Sequence, residues 1–116
     1  IQQQVLEGKR VIKLGNLTPK RDFIHTYDMA AAVETLLTHV EGGIHTYNLG
    51  RGIEYSVTEI VDAFSKAINE KIEIEVDQTR VRKVERQHLL ADVSKLKSLG
   101  WTPKIGIEDG IKTLVQ

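Results

Sequence analysis

Hydrophobic spacing along the chain switches between the two-residue period of strands and the three-to-four-residue period of helices. The opening "IQQQVLEGKR" reads as the last turns of a helix that ends near Gly8, with no start signal of its own. "RVIKLG" has the short, β-branched character of a strand. "RDFIHTY" predicts a second one, because Phe23, His25 and Tyr27 alternate with Asp22, Ile24 and Thr26. Asp28 is placed to cap a helix whose apolar residues Met29, Val33, Leu36, Leu37 and Val40 fall at helical spacing, with Gly42 and Gly43 ending it. "IHTYNLG" suggests another strand and "LGRGIEYS" a glycine-punctuated loop. Ser56 and Glu59 then make a capping box ahead of one helical stripe of Val57, Ile60, Val61, Phe64 and Ile68. "KIEIEV" alternates as a strand, and "DVSKLKSLGW" is a short helix stopped at Gly100. "IEDGIKTLV" closes the chain as a helix whose middle is weakened by Gly110.

Mixed strands and helices, each helix with one face to bury, predict an α/β chain forming a single domain over residues 1–116. Because the first helix starts in mid-turn, the sequence reads as a piece of a longer protein, a frayed terminus being the plainer alternative. The one long connection, Asp77 to His88, has no firm period, and loops of that length within a domain tend to be functional.

Composition narrows the chemistry. With 41% hydrophobic and 28% charged residues the chain has the make-up of an ordinary globular protein. Sixteen basic residues balance sixteen acidic ones, so nothing global argues for nucleic acid or a membrane surface, and any electrostatic function is local. The absence of cysteine excludes disulfides, thiolate nucleophiles and cysteine zinc sites, and fits a cytoplasmic location. No apolar run approaches the roughly 20 residues of a membrane span.

No glycine-rich fingerprint follows a strand and opens a helix, no serine sits in a G-x-S-x-G turn, and the four histidines lack metal-ligand spacing on a helix. No dinucleotide site, serine-nucleophile turn or histidine metal site is therefore expected within these residues. His39 reads as a solvent-facing residue near a helix C-terminus, and His25 as a hydrogen-bonded packing residue on a half-buried strand. What stands out is cationic: Arg21 at a strand entrance after a proline turn, and Arg80, Arg82, Lys83 and Arg86 crowding one loop around Glu85. Guanidinium groups offer planar, paired donors that match phosphate oxygens, so arginines converging on one cleft would clamp a diphosphate, whereas a charge run alone is most often a solvated face.

The runs "LGNLTPKRDFIHTYDMAAAV", "YNLGRGIEYSVTEIVDAF" and "RVRKVERQHLLADVSKLKSLGWTPKIGIEDGI" cover nearly the whole chain. Together they resemble the C-terminal part of the NAD-dependent epimerase/dehydratase family, extended short-chain dehydrogenases that act on nucleotide sugars. Within it they are most similar to the GDP-mannose 4,6-dehydratases and nearby dehydratases. The resemblance implies a small mixed α+β substrate-binding domain with the Rossmann half absent. That missing N-terminal half would bind NAD or NADP and carry the Tyr-x-x-x-Lys pair; none of Tyr27, Tyr47 and Tyr55 is followed four residues later by lysine. The fragment would thus be inactive alone and hold no cofactor. Its ligand would be a nucleotide-diphosphate sugar, with no nucleic acid or membrane partner, and the intact enzyme would be a homo-oligomer.

By position, the resemblance makes Arg21 and Arg82 contacts of the substrate diphosphate and lays Asn16, in the "GNL" turn, along the nucleotide. It puts Glu85 near the ribose and Asn48 on the pocket wall, where the alternative is an asparagine that starts a turn and satisfies its own backbone. Lys83 departs from the family pattern, which usually has proline after the arginine at Arg82. Trp101 and Pro103 read as packing residues. Three functions remain open: the substrate domain of a nucleotide-sugar 4,6-dehydratase, the same domain of a 4-epimerase or reductase, or a noncatalytic nucleotide-binding module.

Overall fold

The computed structural model describes residues 1–116. Its helices are α1 (Gln2–Leu6), α2 (Thr26–His39), α3 (Val57–Ile68), α4 (Ser94–Lys97) and α5 (Ile107–Val115), with a single 3-10 turn at Gln78–Arg80. Its strands are β1 (Val11–Leu14), β2 (Lys20–Asp22), β3 (Glu54–Ser56), β4 (Glu73–Val76) and β5 (His88–Leu89). They form two small sheets: β1 pairs β4 in parallel, and β2 lies between antiparallel β3 and parallel β5. The mixed α/β architecture expected from the patterning is the one observed.

Two cores hold these elements. In the larger, the apolar stripe of α3 (Ile60, Val61 and Phe64) meets Ile111 of α5, Val5 of α1 and Ile12 of β1. In the smaller, Ala32 of α2 meets Val93, Leu96 and Trp101. The start of α3 is as the sequence predicts: Glu59 N–H donates to Ser56 Oγ (3.2 Å) while Ser56 N–H donates to the Glu59 carboxylate (2.7 Å). Two backbone donors that the helix itself cannot satisfy are thereby paired.

Three expectations are corrected. The "RDFIHTY" strand stops at Asp22, and His25 caps α2, its Nδ1 accepting the Tyr27 N–H (3.1 Å). That bond leaves Nε2 to carry the ring proton and donate to Thr113 Oγ1 (3.3 Å), so His25 has the hydrogen-bonded structural role expected of it, at a helix start rather than on a strand. Asp28 is therefore no cap. It lies buried in the first turn of α2, where its two carboxylate oxygens accept the backbone N–H groups of Lys104 and Ile105 (both 2.9 Å), and its carbonyl accepts the Trp101 indole N–H (3.1 Å). Finally, "IHTYNLG" forms no strand, since its backbone N–H and C=O groups pair with no other backbone segment of this chain.

Candidate functional site

β2 is the middle strand of its sheet, and the residues at its centre and end are fixed from both sides. Arg21 is paired in register with Tyr55 of β3 and Leu89 of β5. Its guanidinium is held at both ends: Nη1 donates to the carbonyls of Lys20 (2.8 Å) and Arg86 (2.9 Å), and Nη2 donates to Glu85 Oε1 (3.0 Å). A guanidinium has five N–H groups, so Nε–H and one hydrogen of Nη2 remain unspent.

The next residue, Asp22, ties the sheet to its surroundings. Its carboxylate accepts the backbone N–H groups of Arg51 and Gly52 (both 2.8 Å) and of Ala91 (3.4 Å). Gly50 must be glycine for this to work, because a Cβ there would stand 2.6 Å from Asp22 Oδ2 and 2.7 Å from Ala91 Cβ. Patterning did not mark Asp22 as an organiser; the available signal is a carboxylate beside a strand and, further on, a glycine-flanked turn whose amides need an acceptor.

The long loop after β4 closes onto the turn before β2. Asn16 clasps the backbone of Arg82, its Oδ1 accepting the Arg82 N–H (2.7 Å) and its Nδ2 donating to the Arg82 carbonyl (3.2 Å). Nearby, Gly15 packs against the Arg80 carbonyl so tightly that no Cβ fits. The loop's far end is stitched down by Lys20 N–H to the Gln87 carbonyl (2.7 Å) and by Thr18 Oγ1 to Gln87 Oε1 (3.0 Å). Of the loop cations, Arg80 is paired with Asp77 (3.2 Å), whereas the exposed side chains of Arg82, Lys83 and Arg86 have no ion-pair partner. At the start of the loop, the hydroxyl and backbone N–H of Thr79 hold Asp77 below the usual carboxylate range, and beyond β5 those of Ser94 do the same for Asp92.

Arg21 and Asn48 line one cleft of about 340 Å³ together with Asp22, Leu49, Leu89 and Asp92. Asn48 Nδ2 donates to the Asp92 carbonyl (3.2 Å), so it bridges to the segment before α4 instead of satisfying its own turn. Of the five sequence-selected residues, the fold thus brings Arg21 to Glu85 by an ion pair, Asn16 to Arg82 by a backbone clasp, and Asn48 to the Arg21 cleft. Arg82 is held by its backbone, with its guanidinium in solvent. No three His, Asp or Glu side chains converge to hold a metal ion. The cleft holds one guanidinium beside the carboxylates of Asp22 and Asp92, so its capacity for anion recognition rests on the unspent N–H donors of Arg21 and on the unpaired cations of the adjoining loop, Arg82, Lys83 and Arg86.

The class of protein follows from the fold. A UDP-glucose 4-epimerase from Bifidobacterium longum, solved in complex with NAD+ and UDP, superimposes with a TM-score of 0.84 at 28% identity over 98% of this chain and 36% of its own. A dTDP-glucose 4,6-dehydratase from Bacillus anthracis, at 24% identity, shares the fold with a TM-score of 0.80 over 99% of this chain and 36% of its own. The chain therefore has the fold of part of an extended short-chain dehydrogenase. The sequence profile of the family described as GDP-mannose 4,6 dehydratase matches residues 1–114, and the chain belongs to that family.

Among its relatives, UDP-glucose 4-epimerase 3 of Oryza sativa subsp. japonica is 38% identical over 96 residues, covering 79% of this chain and 26% of that protein. GDP-L-fucose synthase 1 of Arabidopsis thaliana is 33% identical over 104 residues, covering 90% and 31%. The chain spans less than a third of the length of either relative.

Proposed function

We propose that this chain is the substrate-binding part of an NAD(P)-dependent nucleotide-sugar 4,6-dehydratase of the GDP-mannose type, and that it holds the nucleotide diphosphate through Arg21 with Arg82 beside it. The observation that carries the reading is the state of Arg21: a guanidinium fixed on the central strand at the wall of a cleft, with two N–H donors unspent. Asn16 supports it by fixing the backbone of Arg82, and Asn48 by lining the same cleft. The sequence similarity to both UDP-glucose 4-epimerases and GDP-L-fucose synthases favours a second reading, the same domain of a 4-epimerase or reductase. Both readings share the diphosphate.

The residues present do not fit a dinucleotide cofactor, because no strand here runs into a glycine-rich turn that opens a helix. NAD(P) and the reacting groups would belong to the remainder of a full-length enzyme. What these residues would contribute is binding and orientation of the substrate's diphosphate.

Titration of the chain with GDP, UDP, CDP and dTDP tests this. Charge-assisted hydrogen bonds contribute about 1.5–3 kcal/mol each, so Arg21→Ala is expected to weaken the best-bound nucleotide by roughly 10- to 100-fold. Arg82→Ala, whose side chain reaches in from solvent, is expected to cost less. Binding indifferent to both substitutions would overturn the reading.

A further inference from the structure

We propose that Glu85 is a positioning residue for Arg21, holding its guanidinium so that the two unspent N–H groups are presented as an oriented pair to an anion. The inference rests on the reading of Arg21 as a diphosphate ligand. The resemblance to dehydratases implies a place for Glu85 near the ribose, yet here one of its carboxylate oxygens is spent on Arg21.

Glu85 is unlike its neighbours. From Gln78 to Leu90 every residue is exposed except Glu85, whose side chain retains 19% of its accessible surface, against 28% for that of Arg21. It turns inward although Arg82, Lys83 and Arg86 lie within three residues of it and have no other ionic partner. Its pairing with a strand residue 64 positions away is therefore imposed by the way the loop is fastened, through Gln87 to Lys20 and Thr18, and not by proximity of charge.

The two carbonyls that hold Nη1 belong to the paired strand backbone and its immediate extension, so they come with the sheet. Glu85 is the one side chain that holds the guanidinium. An arginine that has already lost its rotamer freedom on folding loses less on binding. Coulomb's law alone predicts the opposite effect, since a carboxylate within an anion site repels the ligand. The sign of a Glu85 substitution therefore separates the two.

The experiment is a 31P NMR titration of inorganic pyrophosphate with the full chain and with Arg21→Ala, Glu85→Ala, Glu85→Gln and the Arg21→Ala/Glu85→Ala pair. Positioning predicts that Glu85→Ala weakens binding by about 3- to 10-fold, the loss of one immobilised side chain. It predicts that Glu85→Gln, which keeps an acceptor at the same reach, stays within about twofold of the wild type, and that the double variant binds no more weakly than Arg21→Ala alone. Binding that is unchanged or tighter in Glu85→Ala would overturn the proposal, as would Glu85→Gln behaving like Glu85→Ala. So would a Glu85→Ala loss repeated in full on the Arg21→Ala background, since damage to the loop at large would act through Arg82 as well. Pyrophosphate binding that ignores Arg21→Ala would instead sink the underlying reading of Arg21, and the positioning role with it.

Discussion

Asp22 and Asp28 each serve as an acceptor for backbone N–H groups from distant segments, and each was misplaced or passed over by local pattern. Asp28 sits before an apolar helical run, which is the cap signal, but its partners lie 76 and 77 residues further along the chain. No local spacing reveals that. The same holds for Arg21, marked by its surroundings as an anion contact while its ion pair with Glu85 spans 64 residues. Leaving buried N–H groups without an acceptor costs about 1–3 kcal/mol per group. Asp28→Ala, which strands two at a buried site, is expected to destabilise the chain by about 2–4 kcal/mol in chemical denaturation. Asp22→Ala, around a part-buried carboxylate, is expected to cost about 1–3 kcal/mol. A loss under about 0.5 kcal/mol at both would contradict the role of these carboxylates as joints.

Elements whose cause is local were legible. The α3 capping box needs only Ser56 and Glu59, three residues apart, and a stripe of apolar residues behind them. The strand expected at 44–50 failed for the converse reason: alternation specifies a face, but a strand needs a neighbour, and this chain supplies none there. α3 also carries a pH dependence. Hydrogen bonding from the backbone and the hydroxyl of Ser56 holds Glu59 below the usual glutamate range, so the unfolded chain protonates first as pH falls. Its stabilisation is complete above the ordinary glutamate value, about pH 4–5, and is lost as pH drops through the lower folded value. Thermal melts from pH 6 down to pH 3 should therefore show a decline that Glu59→Gln removes in part; equal slopes in both proteins would contradict the capping role.

The whole molecule is a plate of 49 × 34 × 17 Å with a radius of gyration of 16.7 Å, against about 13 Å for a compact domain of some hundred residues. Two separate small cores, rather than one, produce this shape. The apolar face predicted for α2 is only half used. Leu36 packs against the smaller core beside Ala32, whereas Met29, Val33 and Leu37 are exposed, and Ile44 beyond them is almost entirely in solvent. That face and the unpaired segment after it accord with a chain that spans only part of its relatives' length, 26% and 31% of the two compared above.

At this scale the sequence located both sides of the candidate site, the turn and strand from Asn16 to Arg21 and the basic loop from Arg80 to Arg86. It did not reveal that they close on each other, because the Asn16–Arg82 clasp and the Arg21–Glu85 pair exist only in three dimensions. The central claim is that these segments form one anion-binding site for a nucleotide diphosphate. Mapping of GDP onto the 15N-labelled chain, with the arginine Nε–H signals observed, tests it most directly. The account predicts the largest shifts at Arg21 Nε–H, at Asn16, at Arg82 to Arg86 and at Asn48. Shifts confined to the apolar groove around Phe23, Phe64 and Ile111, with the Arg21 signal unmoved at saturating GDP, would contradict it.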